Sequence, residues 1–513
     1  MPKRVTDQDS RSALHKMTQR FEELYRSGDL SALIKAIERS PLPAYFGLQT
    51  DLFQEMLESV AEAGLDTRGT ARSFLDLLFP GRNSDQRKLA LPAWREVSTS
   101  AALEPLHLIG RMAALRLSGR AHETHHWLSK VDSRIDVVDP LFGDRSGWPI
   151  MIPLQAGITS MLAGDFKRAL EYFVRAQVQP TVPALSFLTR DAFAKAALVH
   201  VLFGRLVDAR SNLEKAAAIA PSGSWAEPLI DATAQLAEAL ANISDAQEAI
   251  ELIDSIQLQS IGEMWPFYII GLGRLLECGG NHRELLPRLK MLEGLPFPRV
   301  DGEGVSGSVF AISRATVHLL SGDVFVAQSL LLEADPDYVA TQAALIQLNL
   351  AMKQPQQAIK VAQLLAADKW RGLRQGELWR FAGLSAAYLQ LGRENEAREA
   401  LYAALQGGVT SENLALFAQE VLQFAENQVE GWPLRPPTDT PATLTQTESQ
   451  MKLTGREFQV LRLLVEEKTQ SQIADELFVS LNTLKSHLKV IYRKLGVTSR
   501  EAAVLRAEAV GWW

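Results

Sequence analysis

Cysteine is almost absent: the 513 residues contain one, Cys278. A lone thiol excludes an internal disulfide and points to a reducing compartment such as the cytoplasm. Long apolar runs are missing too. None approaches the roughly 20 residues that span a bilayer, so no membrane helix is expected. The first residues, Met1, Pro2, Lys3 and Arg4, are followed by polar ones rather than an apolar segment, so no secretory signal is predicted. A G-x-x-x-x-G-K-[ST] phosphate loop occurs nowhere, which removes the backbone cradle and lysine of that nucleotide site. Convincing strand alternation is also lacking. That predicts an all-α chain and leaves no obvious phosphoacceptor domain, because those alternate strands with helices.

What remains is an ordinary soluble composition, 47% hydrophobic and 22% charged, on a chain long enough for two to four domains. The formal net charge of −7 argues against a nucleic-acid binder if the chain is one body. Residues 451–513, however, hold ten Lys and Arg against seven Asp and Glu, a net of +3, which leaves −10 on the preceding 450 residues. The short tail is where a polyanion would be welcome.

Residues 432–450 read WPLRPPTDTPATLTQTESQ, with four prolines and five threonines. Proline stops helix continuation and biases its predecessor to extended backbone, so this stretch is expected to be a linker. It divides the chain into an N-terminal helical region (1–100), helical repeats (101–431), the linker (432–450) and a C-terminal domain (451–513).

The repeats show one recurring pattern: a turn residue followed five positions later by a small residue inside an apolar helix. It occurs at Gly119/Thr124, Gly164/Ala169, Gly204/Ala209, Gly322/Ala327 and Gly392/Ala397, with degenerate copies at Ala241/Ala246, Gly279/Glu284 and Lys353/Ala358. This is the grammar of a helical hairpin. The first helix ends at a glycine in the left-handed conformation, and the small residue lets the second helix approach closely. Copies recur every 31 to 45 residues or so, within the range of tetratricopeptide-like arrays. One hairpin buries too little alone, so neighbours must stack into a superhelix. A non-repetitive helical bundle is the alternative. Gly28 to Leu33 reads as a further hairpin turn, and Pro80 with Gly81 as the end of a helix.

Four helices can be placed in the tail. Thr454 with Glu457 and Thr469 with Gln472 spell capping boxes, Ser480 caps a third helix ending at Gly496, and Ser499 opens the last. The third helix separates its faces at 100° per residue. Leu484, Leu488, Ile491 and Leu495 form one stripe, and Asn482, Lys485, Ser486, Lys489 and Arg493 form the opposite one. A helix lying in a major groove needs that division: cations for guanine edges, asparagine for adenine, small groups for close approach. The helix capped at Thr469 precedes it by a short turn, the spacing of a helix-turn-helix.

The tail resembles the LuxR-type (GerE-like) helix-turn-helix domain. The opening LTGRE, the IADELFVS turn region, TLKSHL and the closing RKLGVTSR fall in that family's order and register. The resemblance implies DNA reading by the third helix, with Lys485, Ser486 and Lys489 facing bases and Thr483, His487 and Lys494 near phosphates. It also implies dimerisation through the last helix at Val504, Leu505 and Ala509. Trp512 and Trp513 are expected to pack back on the domain. Repeats before such a tail resemble, at the level of pattern, the large maltose-regulator-like (MalT-like) regulators. The missing phosphate loop means that ATP-driven control is not implied.

His122, Glu123, Thr124, His125 and His126 spell H-E-x-x-H, the pattern of a zinc hydrolase. It falls on the second helix of a repeat with no convincing third ligand nearby, so neither catalysis nor a metal is expected there. The expected function is a cytoplasmic, non-enzymatic transcription regulator without a cofactor. It would bind double-stranded promoter DNA as a homodimer, under control of a small molecule or protein held by the repeats. A protein-interaction scaffold with a degenerate DNA-binding tail is the alternative. The tail, with its own caps and apolar stripe, is expected to fold alone. The array's negative charge could compete with phosphate for its cationic helix.

Overall fold

The computed structural model describes residues 7–67, 69–78, 104–124, 128, 147–242, 246–365, 373–433, 453–495 and 497–509. Among them regular structure is helical throughout and no strand occurs, as the sequence predicts. No helix of the described residues is long and apolar enough to cross a membrane. The chain forms two compact units: Met1–Asn242 with Glu251–Trp265, and Ile243–Ile250 with Pro266–Trp513.

The first unit opens with the helices Asp7–Arg26 and Leu30–Arg39, joined at Gly28 (φ +73°). Asp29 accepts the amide of Ala32 at 3.0 Å and so starts the second of them. This is the hairpin expected at Gly28. Further on, Trp148–Leu162 pairs with Phe166–Gln177, and Ser186–Phe203 with Leu206–Ala217. The first helix of each hairpin packs on the first helix of the next, with Glu227–Ala241 continuing the row. Close approach is built in by size. A Cβ on Gly157 would stand 2.5 Å from the ring of Phe173, and Phe166 stacks on Phe203 at 3.9 Å between centroids.

The second unit repeats the plan. Gly304–Leu320 pairs with Val324–Leu331, Val339–Ala351 with Pro355–Leu364, and Arg374–Gln390 with Glu394–Gln406. First helices again pack on first helices. A Cβ on Gly383 would collide with Ile346 Cγ2, so glycine is what lets these two axes meet. Gln419–Gln428 closes the row over a core that includes Phe417, Val421, Leu422 and Trp432. The Trp432 ring meets Phe417 edge-on at 5.3 Å. The residue that opens the proline-rich stretch is thus part of the helical core, while residues 434–450 lie outside those described.

The small positions behave as the hairpin grammar requires. Thr124, Ala169, Ala209, Ala327 and Ala397 have no exposed surface, and Ala358 of a degenerate copy matches them. The other two degenerate copies depart from it. Ala246 is half-buried, and Glu284 is exposed in a 3-10 turn that precedes the helix Leu285–Glu293. Gly119, Gly164, Gly322 and Gly392 have positive φ, and Lys353 takes the same left-handed turn (φ +58°) where glycine would cost less. Gly204 corrects the expectation: its φ is −107° and ψ −138°, which is not left-handed. What glycine supplies there is room, because a Cβ would lie 2.6 Å from the His200 ring. Ala121–Thr124 is likewise a 3-10 turn rather than an α-helix. His125, His126, Pro80 and Gly81 lie outside the described residues.

Candidate nucleic-acid interface

Four helices build the C-terminal domain: Gly455–Val465, Gln470–Glu476, Leu481–Leu495 and Arg500–Ala509. Each starts where a side chain stops the backbone. Thr454 and Glu457 exchange bonds, the amide of Thr454 donating to Glu457 Oε2 at 2.7 Å. Thr469 and Gln472 do the same, with the Thr469 amide donating to Gln472 Oε1 at 2.8 Å. Ser480 Oγ accepts the Thr483 amide at 3.1 Å, and Ser499 Oγ accepts that of Ala502 at 3.1 Å. These caps satisfy amides that helix geometry leaves without partners.

Burial then divides the third helix. Leu484, Leu488, Ile491 and Leu495 are buried in one cluster with Phe458, Leu461, Leu464 and Ile473. Asn482, Lys485, Ser486, Lys489 and Arg493 are all exposed on the other side. The five polar residues expected to face bases thus share one solvent-facing surface. The Ser486 hydroxyl donates back to the Asn482 carbonyl at 3.0 Å, which keeps that side chain low against the helix. The helix Gln470–Glu476 packs across the third through a turn containing Phe478 and Val479.

Residues 451–507 match the family described as GerE, bacterial regulatory proteins of the luxR family. This segment is a luxR-family helix-turn-helix domain.

Within the luxR-family domain, the residues expected near phosphate do not share one setting. Thr483 is exposed, its hydroxyl 2.8 Å from that of Ser480. His487 is half-buried. Lys494 donates to Glu457 Oε2 at 2.6 Å and so ties the third helix to the cap of the first. Burial opposes ionisation of the Glu457 carboxyl, but the Lys494 ammonium and the Thr454 amide outweigh it and lower its pKa.

On the last helix, Ala503 and Ala507 are buried, Val504 is half-buried and Leu505 is 65% exposed. Ala509 is the helix's final residue. Trp512 and Trp513 lie outside the described residues.

Two features were not anticipated from sequence. Arg500 donates to the carbonyls of Leu464 at 2.7 Å and Lys468 at 2.9 Å, clamping the last helix onto the C-terminal end of the first. Its position closing RKLGVTSR was the available signal. Phe478, at the turn between the second and third helices, is 95% exposed with φ +52°. Nothing in the periodicity marks it, because an isolated apolar residue in a turn reads as core.

Proposed function

We propose that this protein is a transcription regulator that reads promoter DNA with the third helix of its luxR-family domain. The observation that carries this reading is the exposed, uninterrupted row Asn482, Lys485, Ser486, Lys489 and Arg493, held outward by a fully buried apolar stripe. In the major groove, Lys485, Lys489 and Arg493 offer donors to guanine, Asn482 can pair with adenine, and Ser486 leaves room for the groove wall. Thr483 and His487 flank the row at the level of the phosphates. Lys494 would reach phosphate only by leaving Glu457, so its role is to fix the helix.

Two such domains would pair through Val504, Leu505 and Ala509, and the half-sites would then lie about one helical turn, roughly 34 Å, apart. The stacked hairpins present long surfaces on which a small molecule or protein effector could bind and set the outcome. Such a regulator works beside the chromosome, in the bacterial cytoplasm, and needs neither catalysis nor a cofactor of its own.

The test is selection of bound fragments from genomic DNA with the full chain at one fixed salt concentration. Enrichment of a single motif, bound with an affinity that falls steeply as salt rises, is the expected result. Binding without any preferred sequence would instead support the scaffold alternative.

A further inference from the structure

The luxR-family domain is seated on the hairpin array of its own unit, and the seat is specific. The ring of Phe325, on the helix Val324–Leu331, lies over Gly455, the first residue of the domain's first helix. A Cβ at Gly455 would stand 2.8 Å from Phe325 Cε1, and its three nearest neighbours would all be atoms of that ring. The contact is continuous with both cores. Leu319, Val326, Leu330 and Leu348 of the array belong to one buried cluster with Leu453, Phe458 and Leu461 of the domain, and Val324 and Phe325 pack against it. Glu333 of the array feels the charge of Arg462 on the domain's first helix.

This seat lies at the start of the first helix, with Leu453 just before it in the same cluster. Lys485, Ser486 and Lys489 stay exposed, and so does Leu505 on the last helix. The face that meets the array is therefore neither the cationic face nor the expected dimer face. Charge attraction between an acidic array and the cationic helix is not what holds the domain here.

We infer that the array carries the DNA-binding domain docked through Phe325 on Gly455, and that control acts by positioning the domain rather than by masking it. A docked domain points its DNA face in a direction set by the array. Any effector that rearranges the hairpins near Val324–Leu331 then changes that direction or releases the domain, in proportion to its preference for one arrangement. The inference rests on the DNA-reading role proposed above for its consequence, though not for the contact itself.

The experiment reads docking without DNA. Isoleucine and leucine methyl groups of the full chain are isotope-labelled, and line widths of Ile473, Leu484, Leu488 and Ile491 are compared with those of array residues. In the wild type both sets should be equally broad, because docked parts tumble together. Gly455→Leu adds a side chain whose Cβ would meet the Phe325 ring first, and should narrow the domain's lines several-fold while leaving their dispersion intact. Phe325→Ala removes the seat from the array side, leaving the domain's own residues unaltered, and should narrow them too. Narrow domain lines in the wild type, or lines that stay broad in both variants, would overturn the inference. Fragment selection is scored separately: docking as described with no DNA motif would leave the contact standing and defeat the DNA-reading role.

Discussion

The C-terminal domain caps each of its helices with a side chain, whereas in the hairpin array such caps are the exception, as at Asp165, which accepts the Arg168 amide at 3.1 Å. In the array, Val324–Leu331, Val339–Ala351, Pro355–Leu364, Arg374–Gln390 and Glu394–Gln406 all start without a side-chain cap bond. In the domain, Thr454, Thr469, Ser480 and Ser499 each accept an amide from the helix they open. The array's helices are held by their neighbours, through zero-exposure alanines that let axes approach. The domain's helices carry their start signals in their own sequence. A structure built by stacking can tolerate loose ends, because each helix is fixed along its length; a four-helix unit of some 60 residues has little core to spare and needs its ends defined.

The largest effect that would sharpen this contrast is a cavity in the domain. Leu488→Ala should cost about 2–5 kcal/mol. Calorimetry of the full chain should show the domain's transition lowered or lost and that of the array little changed. A single merged transition that moves as one would break the comparison.

Overpacking in the array comes next. Ala209 has no exposed surface, and Ala209→Leu should cost about 1–3 kcal/mol by forcing two helices apart. Because hairpins rest on one another, the loss should broaden the array's melting transition rather than stay local. DNA affinity of the molecules that remain folded should be unchanged.

Caps give a smaller, more pointed difference. Thr454→Ala or Thr469→Ala should each cost about 1 kcal/mol in chemical denaturation. Gln354→Ala, at an exposed helix start without a cap bond, should stay within about 0.5 kcal/mol of wild type. Equal losses at both kinds of site would show that the array's ends matter as much as the domain's.

The smallest effect is a pH dependence. The Glu457 pKa is lowered in the folded domain, so its contribution is present above the unfolded value of about 4.3 and is lost as pH falls through the folded pKa. Stability of the domain should decline across that acid window, and Glu457→Gln should flatten the decline. An unchanged profile in the variant would remove the Lys494–Glu457 pair from the account.

The same contrast explains what was legible before the structure. The domain's four helices, its caps and the two faces of its third helix follow from local signals: a hydroxyl, an acid three residues later, a period of 3.6. The array was legible as a grammar more than as boundaries. Ala169, Ala209, Ala327 and Ala397 proved to be the buried positions, but the rule that glycine turns left-handed failed at Gly204, where space around His200 decides. Glu284 carried the spacing and not the role, because a carboxylate cannot sit where two helices touch. Arg500 and Lys494 act on groups 30 or more residues away in sequence, on Lys468, Leu464 and Glu457, and no periodicity encodes such distant partners. The Phe325–Gly455 seat was hidden for the same reason.

The central claim is that the exposed row of the third helix reads DNA. Its most direct test is the affinity of the full chain for a selected genomic fragment, measured for wild type and for Lys485→Ala with Lys489→Ala at one fixed salt concentration. Circular dichroism should be unchanged, because both side chains face solvent. Binding should weaken by about 2–5 kcal/mol, taking ~1–3 kcal/mol for each lost base contact. A folded double variant that binds the fragment as tightly as wild type would contradict it.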